Sequence, residues 1–313
     1  MSDHIEAVGS HQGADILCAT LRSERARVRI LNLGAITQSW HVDGAPVILG
    51  YEDPRAYVTD PYYLGAIVGR VANRTAGARF QMGGVIYDLP QNDGRHHLHG
   101  SLSKCLWDMS CSGEAVTLRY HSPDGDGGYP GAVDFSLVIR LDGVRLSYEM
   151  RAVPDRPTPI NLAQHNYYNL DGGADINRHK LRVAAEGWTP VDDELIALGT
   201  IEPVRGTGLD FLGATRLSDI NLESGIDANL VLTGAPGAAA ELRAENGRRL
   251  RLHTDQPGLQ VYSGGGLGTP FRPYQGLCLE PQGFPNALNT PAFPSIIATP
   301  EAPYHQLLEV EIS

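Results

Sequence analysis

The chain has 313 residues, of which 19% are charged and 42% hydrophobic. This is ordinary globular composition, long enough to bury a large core without disulfides or metals and too apolar for disorder. A net charge of −11 argues against a nucleic-acid partner, which needs clustered Lys and Arg, and no apolar run reaches the roughly 20 residues of a membrane helix.

The opening Met1-Ser2-Asp3-His4-Ile5-Glu6 has neither the basic nor the apolar stretch of a secretory leader, so a cytoplasmic protein is expected. The four cysteines, Cys18, Cys105, Cys111 and Cys278, form no CxxC pair and no zinc spacing, which fits buried or unreactive thiols in a reducing compartment. A first polar cluster, Gly69-Arg70-Val71-Ala72-Asn73-Arg74, follows the apolar Leu64-Gly65-Ala66-Ile67-Val68. Gly83-Gly84, between Phe80 and Val85-Ile86-Tyr87, predicts a hairpin. A second polar cluster is His96-His97-Leu98-His99-Gly100. The clearest strand pair runs from Phe135 to Val153: Phe135, Leu137, Ile139 and Leu141 alternate with Ser136, Val138 and Arg140. After Asp142-Gly143, Leu146, Tyr148 and Met150 alternate with Arg145, Ser147, Glu149 and Arg151. Asp-Gly supplies the positive φ of a two-residue hairpin loop. A third polar cluster, Gln164 to Gly172, contains His165-Asn166-Tyr167-Tyr168-Asn169. Asn246-Gly247 predicts another hairpin between Glu241-Leu242-Arg243 and Leu250-Arg251-Leu252-His253. The last cluster is Leu277-Cys278-Leu279-Glu280-Pro281-Gln282-Gly283-Phe284-Pro285.

Abundant Gly (36) and Pro (21) fall between short alternating segments, and no window sustains a helical period. One all-β domain over residues 1–313, a large antiparallel β-sandwich with little helix, is the expected fold.

Each polar cluster has an ordinary structural reading beside a chemical one. Arg74 can be a surface or ion-paired arginine. His96, His97 and His99 can be metal ligands, His97 and His99 sharing a strand face, but no acidic or Cys ligand lies nearby in sequence. His165 can be a satisfied buried histidine. Glu280 follows Leu277-Cys278-Leu279, where a carboxylate is costly to bury without a partner, so it is either a structural ion pair or a functional group. Together a carboxylate and an imidazole suit anomerisation of a sugar. A base removes the C1 hydroxyl proton, an acid protonates the ring oxygen, the ring opens, C1 rotates, and the ring closes on its other face. That chemistry needs no metal and no cofactor, only Asn, Arg, His and Asp side chains to hold the hydroxyls.

At these residues the sequence resembles the galactose mutarotase (aldose 1-epimerase) family. Gly69-Arg70-Val71-Ala72-Asn73-Arg74 resembles its GRxANR motif and Leu98-His99-Gly100 its LHGG motif. Ser122 to Gly131 resembles the DGxxGYPG loop, and His165 to Leu170 resembles HxYFNL. Gly208 to Phe211 resembles FDF, Ile226 to Leu232 resembles YDHNFVL, Gly258 to Gly264 resembles GLQxYTG, and Leu279 to Asn289 resembles LETQxFPDAPN. The eight segments occur in order along most of the chain. The resemblance implies a supersandwich fold, Glu280 as base at the C1 hydroxyl and His165 as acid at the ring oxygen. It implies Asn73, Arg74, Asp227 and His99 as sugar-binding residues, with His99 able to assist at the ring oxygen. Tyr167 and Gln282 join the site, while Asp210 is structural.

Ala228, Ala163, Gly283, Asn286 and Gly265 depart from the family pattern. They are expected beside the site, where they would alter the preferred sugar, toward a pentose for example. A hexose-phosphate 1-epimerase would need a basic cluster beyond Arg70 and Arg74, and a non-catalytic sugar sensor would lack the acid or the base. The expected partner is a monosaccharide, with the chain a monomer or homodimer.

Overall fold

The computed structural model describes residues 5–220 and 225–313, so residues 1–4 of the leader reading lie outside the described residues. Strands dominate, and the described helical segments are short 3₁₀ turns. A five-stranded sheet is built from residues 5–46, and nine-stranded and six-stranded antiparallel sheets carry most of the rest. This is the β-sandwich that the alternation predicts.

The hairpin of Val133–Asp142 and Arg145–Pro154 shows why. Every second residue, Phe135, Leu137, Ile139 and Leu141 on one strand and Leu146, Tyr148 and Met150 on the other, is buried. Each such side chain contributes roughly 1.5–3 kcal/mol on removal from water. The loop sits one residue later than the sequence suggests: Asp142 pairs with Arg145, leaving Gly143-Val144 as the turn, with Gly143 at φ 58°. At Gly83-Gly84 the two-residue turn is as expected, with Met82 opposite Val85 and both glycines at positive φ. At Asn246-Gly247 the hairpin forms as expected and closes one residue sooner, with Arg243 opposite Arg249, and the Asn246 side-chain amide donates to the Leu170 carbonyl. In the nine-stranded sheet, Tyr304–Ile312 lies between Arg145–Pro154 and Arg249–Thr254 and pairs with both.

The six-stranded sheet has two buried faces. Ala228 and Leu230, Leu259 and Val261, and Leu277 and Leu279 join one core cluster with Leu137, Tyr148, Leu250 and Leu308 of the nine-stranded sheet. This interleaving is the sandwich core. Residues of the opposite parity project from the other face. Register sets them in rows: Tyr167, Cys278, Tyr262 and Asp227 across one, and Glu280, Gln260 and Asn229 across the next. The polar row is therefore a direct product of period-two alternation in three adjacent strands.

Candidate active site

A cleft of about 380 Å³ lies over that polar face, within the roughly 300–1,000 Å³ of small-ligand sites. Its floor is Glu280, Gln260, Tyr262 and Asp227 from the sheet, and its walls bring Asn73, Arg74 and His99 against His165 and Tyr167. Seven of the eight residues that the sequence assigns to the site thus converge from five distant segments. Gln282 does not. It is fully buried beyond the cleft lining, one row below Glu280 and opposite Gly258, with no hydrogen-bond partner for either atom of its amide. Its nearness in sequence to Glu280 placed it on the right face but outside the opening.

Glu280 is 2% exposed, and its Oε2 has no hydrogen-bond partner. That atom lies 3.7 Å from Nε2 of His165, itself 4% exposed. Burial pushes the Glu280 carboxyl well above the usual range, and nearby Asp227 adds to the push. Burial lowers His165 to about 4. The ring is held from behind: its backbone N–H donates to the Ala66 carbonyl, its carbonyl accepts from Gly65 N–H, and Nδ1 meets Cys278 Sγ at 3.6 Å.

His99 approaches from the opposite wall, its ring 5.2 Å from and nearly perpendicular to that of His165, with Tyr63 against both. Asn73 and His99 both stand at positive φ, 64° and 60°, and grip one another: His99 N–H donates to the Asn73 carbonyl, and Asn73 N–H donates to His99 Nδ1 at 3.2 Å. The turn at His99 ends the short strand at Leu98, so His97 and His99 do not share a strand face. His97 Nδ1 donates to the Pro90 carbonyl and His96 Nδ1 accepts from Gly77 N–H, both outside the cleft lining. The proposed triple-histidine cluster does not form.

A different trio does. One ligand atom each from His99, His165 and Glu280 lies within 4.8 Å of the others, a spacing that a metal could draw together. The hydrogen bonding opposes it. An Nδ1 that accepts a backbone N–H leaves the neutral His99 ring with its hydrogen on Nε2, so the ring offers the cleft a donor and not a metal-binding lone pair. Burial and the neighbouring His165 hold His99 well below its usual pKa, which keeps it in that neutral form.

Arg74 donates to Asp93 through Nε at 2.7 Å while lining the cleft. Asp227 accepts from Gln260 Nε2 at 2.6 Å, and burial raises its carboxyl pKa. Tyr167 donates its hydroxyl to the Tyr62 carbonyl and lines the cleft by its ring. Arg70 has no place here: it is buried and donates to Ser122 Oγ and to the carbonyls of Ser122, Pro123, Pro130 and Gly131, binding the acidic loop to the segment that carries Asn73 and Arg74.

Sequence reasoning missed Gln260, Tyr62, Tyr63, Tyr262 and Leu195, all cleft-lining. Gln260 had a signal, as the lone polar residue between Leu259 and Val261. Tyr262 ends the strand Gly258–Tyr262, whereas Tyr62 and Tyr63 reach the site from a loop whose course no local pattern fixes. Of the five departing positions, Asn286 adjoins the site, its N–H donating to the carbonyl of cleft-lining Arg74, and Gly265 precedes cleft-lining Gly266. None of Ala163, Ala228, Gly265, Gly283 and Asn286 lines the cleft. Ala228 faces the sandwich core, and Gly283 meets Ile296 and Asn161. They give no ground for a pentose preference.

The aldose 1-epimerase family model matches residues 18–310. The chain belongs to the aldose 1-epimerase family. Mouse galactose mutarotase is 36% identical over 311 residues, covering 91% of this chain and 90% of its own. The aldose 1-epimerase of Escherichia coli K12 is 32% identical and covers 88% of each chain. Among solved structures, galactose 1-epimerase from Lactobacillus acidophilus superposes with a TM-score of 0.90 at 28% identity, over 100% of this chain and 98% of its own. An aldose epimerase homologue from C. elegans gives 0.91 at 26%, over 95% and 99%. This aldose 1-epimerase is an isomerase, and among the described residues no helix is long and apolar enough to cross a membrane.

Proposed function

We propose that this aldose 1-epimerase interconverts the α and β anomers of a free aldose with Glu280 as base and His165 as acid. The observation that carries the assignment is the unpartnered, buried Oε2 of Glu280, 3.7 Å from His165 Nε2 at the floor of the cleft. The Glu280 carboxylate takes the proton of the C1 hydroxyl as C1 becomes a carbonyl and the bond from C1 to the ring oxygen breaks. Protonated His165 delivers its Nε2 hydrogen to that oxygen. After rotation about C1–C2 the same two transfers run backward on the other face, so nothing is consumed.

The electrostatics support this cycle. Burial disfavours charge on both partners, raising the Glu280 carboxyl and lowering the His165 imidazole. The neutral arrangement, proton on Glu280 and bare Nε2 on His165, is the one present once the sugar is open. The buried site therefore stabilises the opened state relative to an equivalent pair in water. Asn73, Arg74, Asp227 and His99 hold the remaining hydroxyls, and the ring of Tyr167 packs beside the sugar.

A phosphorylated sugar fits less well. Arg74 is the cation lining the cleft among the described residues, it already serves Asp93, and Glu280 and Asp227 would repel a phosphate. A sensor without turnover would not need an acid and a base in contact. Polarimetry or anomeric-proton exchange on freshly dissolved glucose, galactose, xylose and arabinose tests the proposal. Catalysed relaxation lost in both Glu280→Gln and His165→Asn is the expected result, and unchanged relaxation in either would overturn its role.

A further inference from the structure

His165 meets Glu280 through Nε2, so whatever holds Nδ1 fixes the angle of the ring and supports its protonation states. Functional imidazoles commonly turn that nitrogen to a carboxylate or a carbonyl. Here the partner is Cys278 Sγ at 3.6 Å. Cys278 precedes Glu280 by two positions on one strand, so both side chains leave the same face. One strand thereby supplies a contact to each ring nitrogen of His165. The thiol is fully buried, and burial with the nearby Glu280 keeps it protonated, pushing its pKa well above the usual range. It is too enclosed to act as a nucleophile on a sugar, and nothing in the proton relay uses it.

We propose that Cys278 is a positioning residue for the epimerase reaction: its neutral thiol holds Nδ1 of His165 and so aims Nε2 at Glu280 and the sugar. The inference rests on His165 being the acid. A thiol suits the task because the proton that moves in the cycle is the one on Nε2: Nδ1 keeps its hydrogen in both halves, and the sulfur accepts it throughout. It does so without adding a charge to a site that already encloses Glu280 and Asp227. The other polar or titratable groups around the ring are His99 and Tyr63 from the facing wall and Tyr167 from its own segment, with Arg74 beyond His99. None of these has a hydrogen-bond contact to Nδ1 of His165 among the described residues.

The test compares the wild type with Cys278→Ser, which keeps a donor and acceptor at the position, and Cys278→Val, which fills the space without either. Mutarotation kinetics and the ¹⁵N shifts of the His165 ring nitrogens, assigned by their loss in His165→Asn, are both recorded. Cys278→Val is expected to lower kcat on the order of 10-fold, to leave KM within about twofold, and to move the Nδ1 and Nε2 resonances. Cys278→Ser is expected to recover most of kcat. A Val variant with wild-type kcat and unmoved resonances, or a Ser variant as impaired as Val, overturns the inference. If the Val variant does not fold, the ¹⁵N spectrum of the Ser variant decides, since an Nδ1 resonance unmoved by exchange of sulfur for oxygen denies the contact. His165→Asn separates the two levels: wild-type turnover there sinks the acid assignment, whereas its inactivity beside a fully active Val variant sinks only the role of the thiol.

Discussion

The hairpin strand Val133–Asp142 and the strand Leu277–Gln282 alternate apolar and polar residues in the same way, yet their surroundings differ. In the hairpin the polar set, Asp134, Ser136 and Arg140, is exposed or half-exposed. In Leu277–Gln282 all six residues are buried, and the polar set is Cys278, Glu280 and Gln282. Alternation reports two chemically different faces and says nothing about whether water covers the second. Where loops and a neighbouring sheet roof that face, its polar groups lose solvent and their pKa values move. A buried polar face on a sandwich sheet is thus the physical mark of the site.

The contrast can be broken most sharply at Glu280. Glu280→Gln keeps shape and burial but removes the ionisable group, and kcat should fall by about 10²–10⁴-fold in polarimetry. The same variant should unfold at a higher temperature at pH 7. A carboxyl whose folded pKa is raised is favourable while protonated below its unfolded pKa, and it loses that stability as pH rises through the folded value. The amide carries no such penalty, and calorimetry should show a stability gain on the order of 1 kcal/mol. Wild-type turnover in this variant, or an unfolding temperature that does not rise at pH 7, would break the argument.

Leu137→Ala, on the hairpin's buried face, should do the opposite: a loss of about 2–5 kcal/mol in denaturant unfolding, with kcat of the folded protein nearly unchanged. The pH profile sharpens the comparison next. kcat/KM should decline as pH falls toward about 4, where protonation of His165 adds a second proton to the pair and no base remains. A flat profile down to pH 4 contradicts the lowered His165. Gln260→Ala leaves Asp227 without its donor and should raise KM by roughly 10-fold, about 1.4 kcal/mol, within the range for a hydrogen bond to a charged group. The smallest effect is expected at Gly265, which stands outside the cleft lining. Gly265→Asn should shift the ratio of kcat/KM between galactose and xylose by less than about twofold, within the small range of surface substitutions.

These expectations also show what the sequence could disclose. Val133–Pro154 was readable because one face sees water and the other the core, so period and burial coincide. Glu280 was readable from the cost of a carboxylate after Leu277-Cys278-Leu279, and His165, Asn73, Arg74, His99, Asp227 and Tyr167 from motif order. Gln282 was misplaced because alternation gives a face and not a depth. Ala228 was misplaced for the converse reason, since adjacency to Asp227 in sequence means the opposite side of the sheet. Tyr62 and Tyr63 lie far along the chain from the strands they cover, and only three-dimensional closure brings them there. The turn at Gly143-Val144 is shifted by cross-strand pairing of Asp142 with Arg145, which a dipeptide does not report.

Tyr304–Ile312 bridges two hairpins that are separated by about a hundred residues of chain. While this protein is being synthesised, those hairpins must wait with open edges until the bridging strand emerges. The nine-stranded sheet therefore assembles late and through contacts of high sequence separation, which makes refolding slow. Deleting that strand would leave two facing rows of unpaired amides and carbonyls, so the damage would appear as self-association and not as a modest drop in turnover.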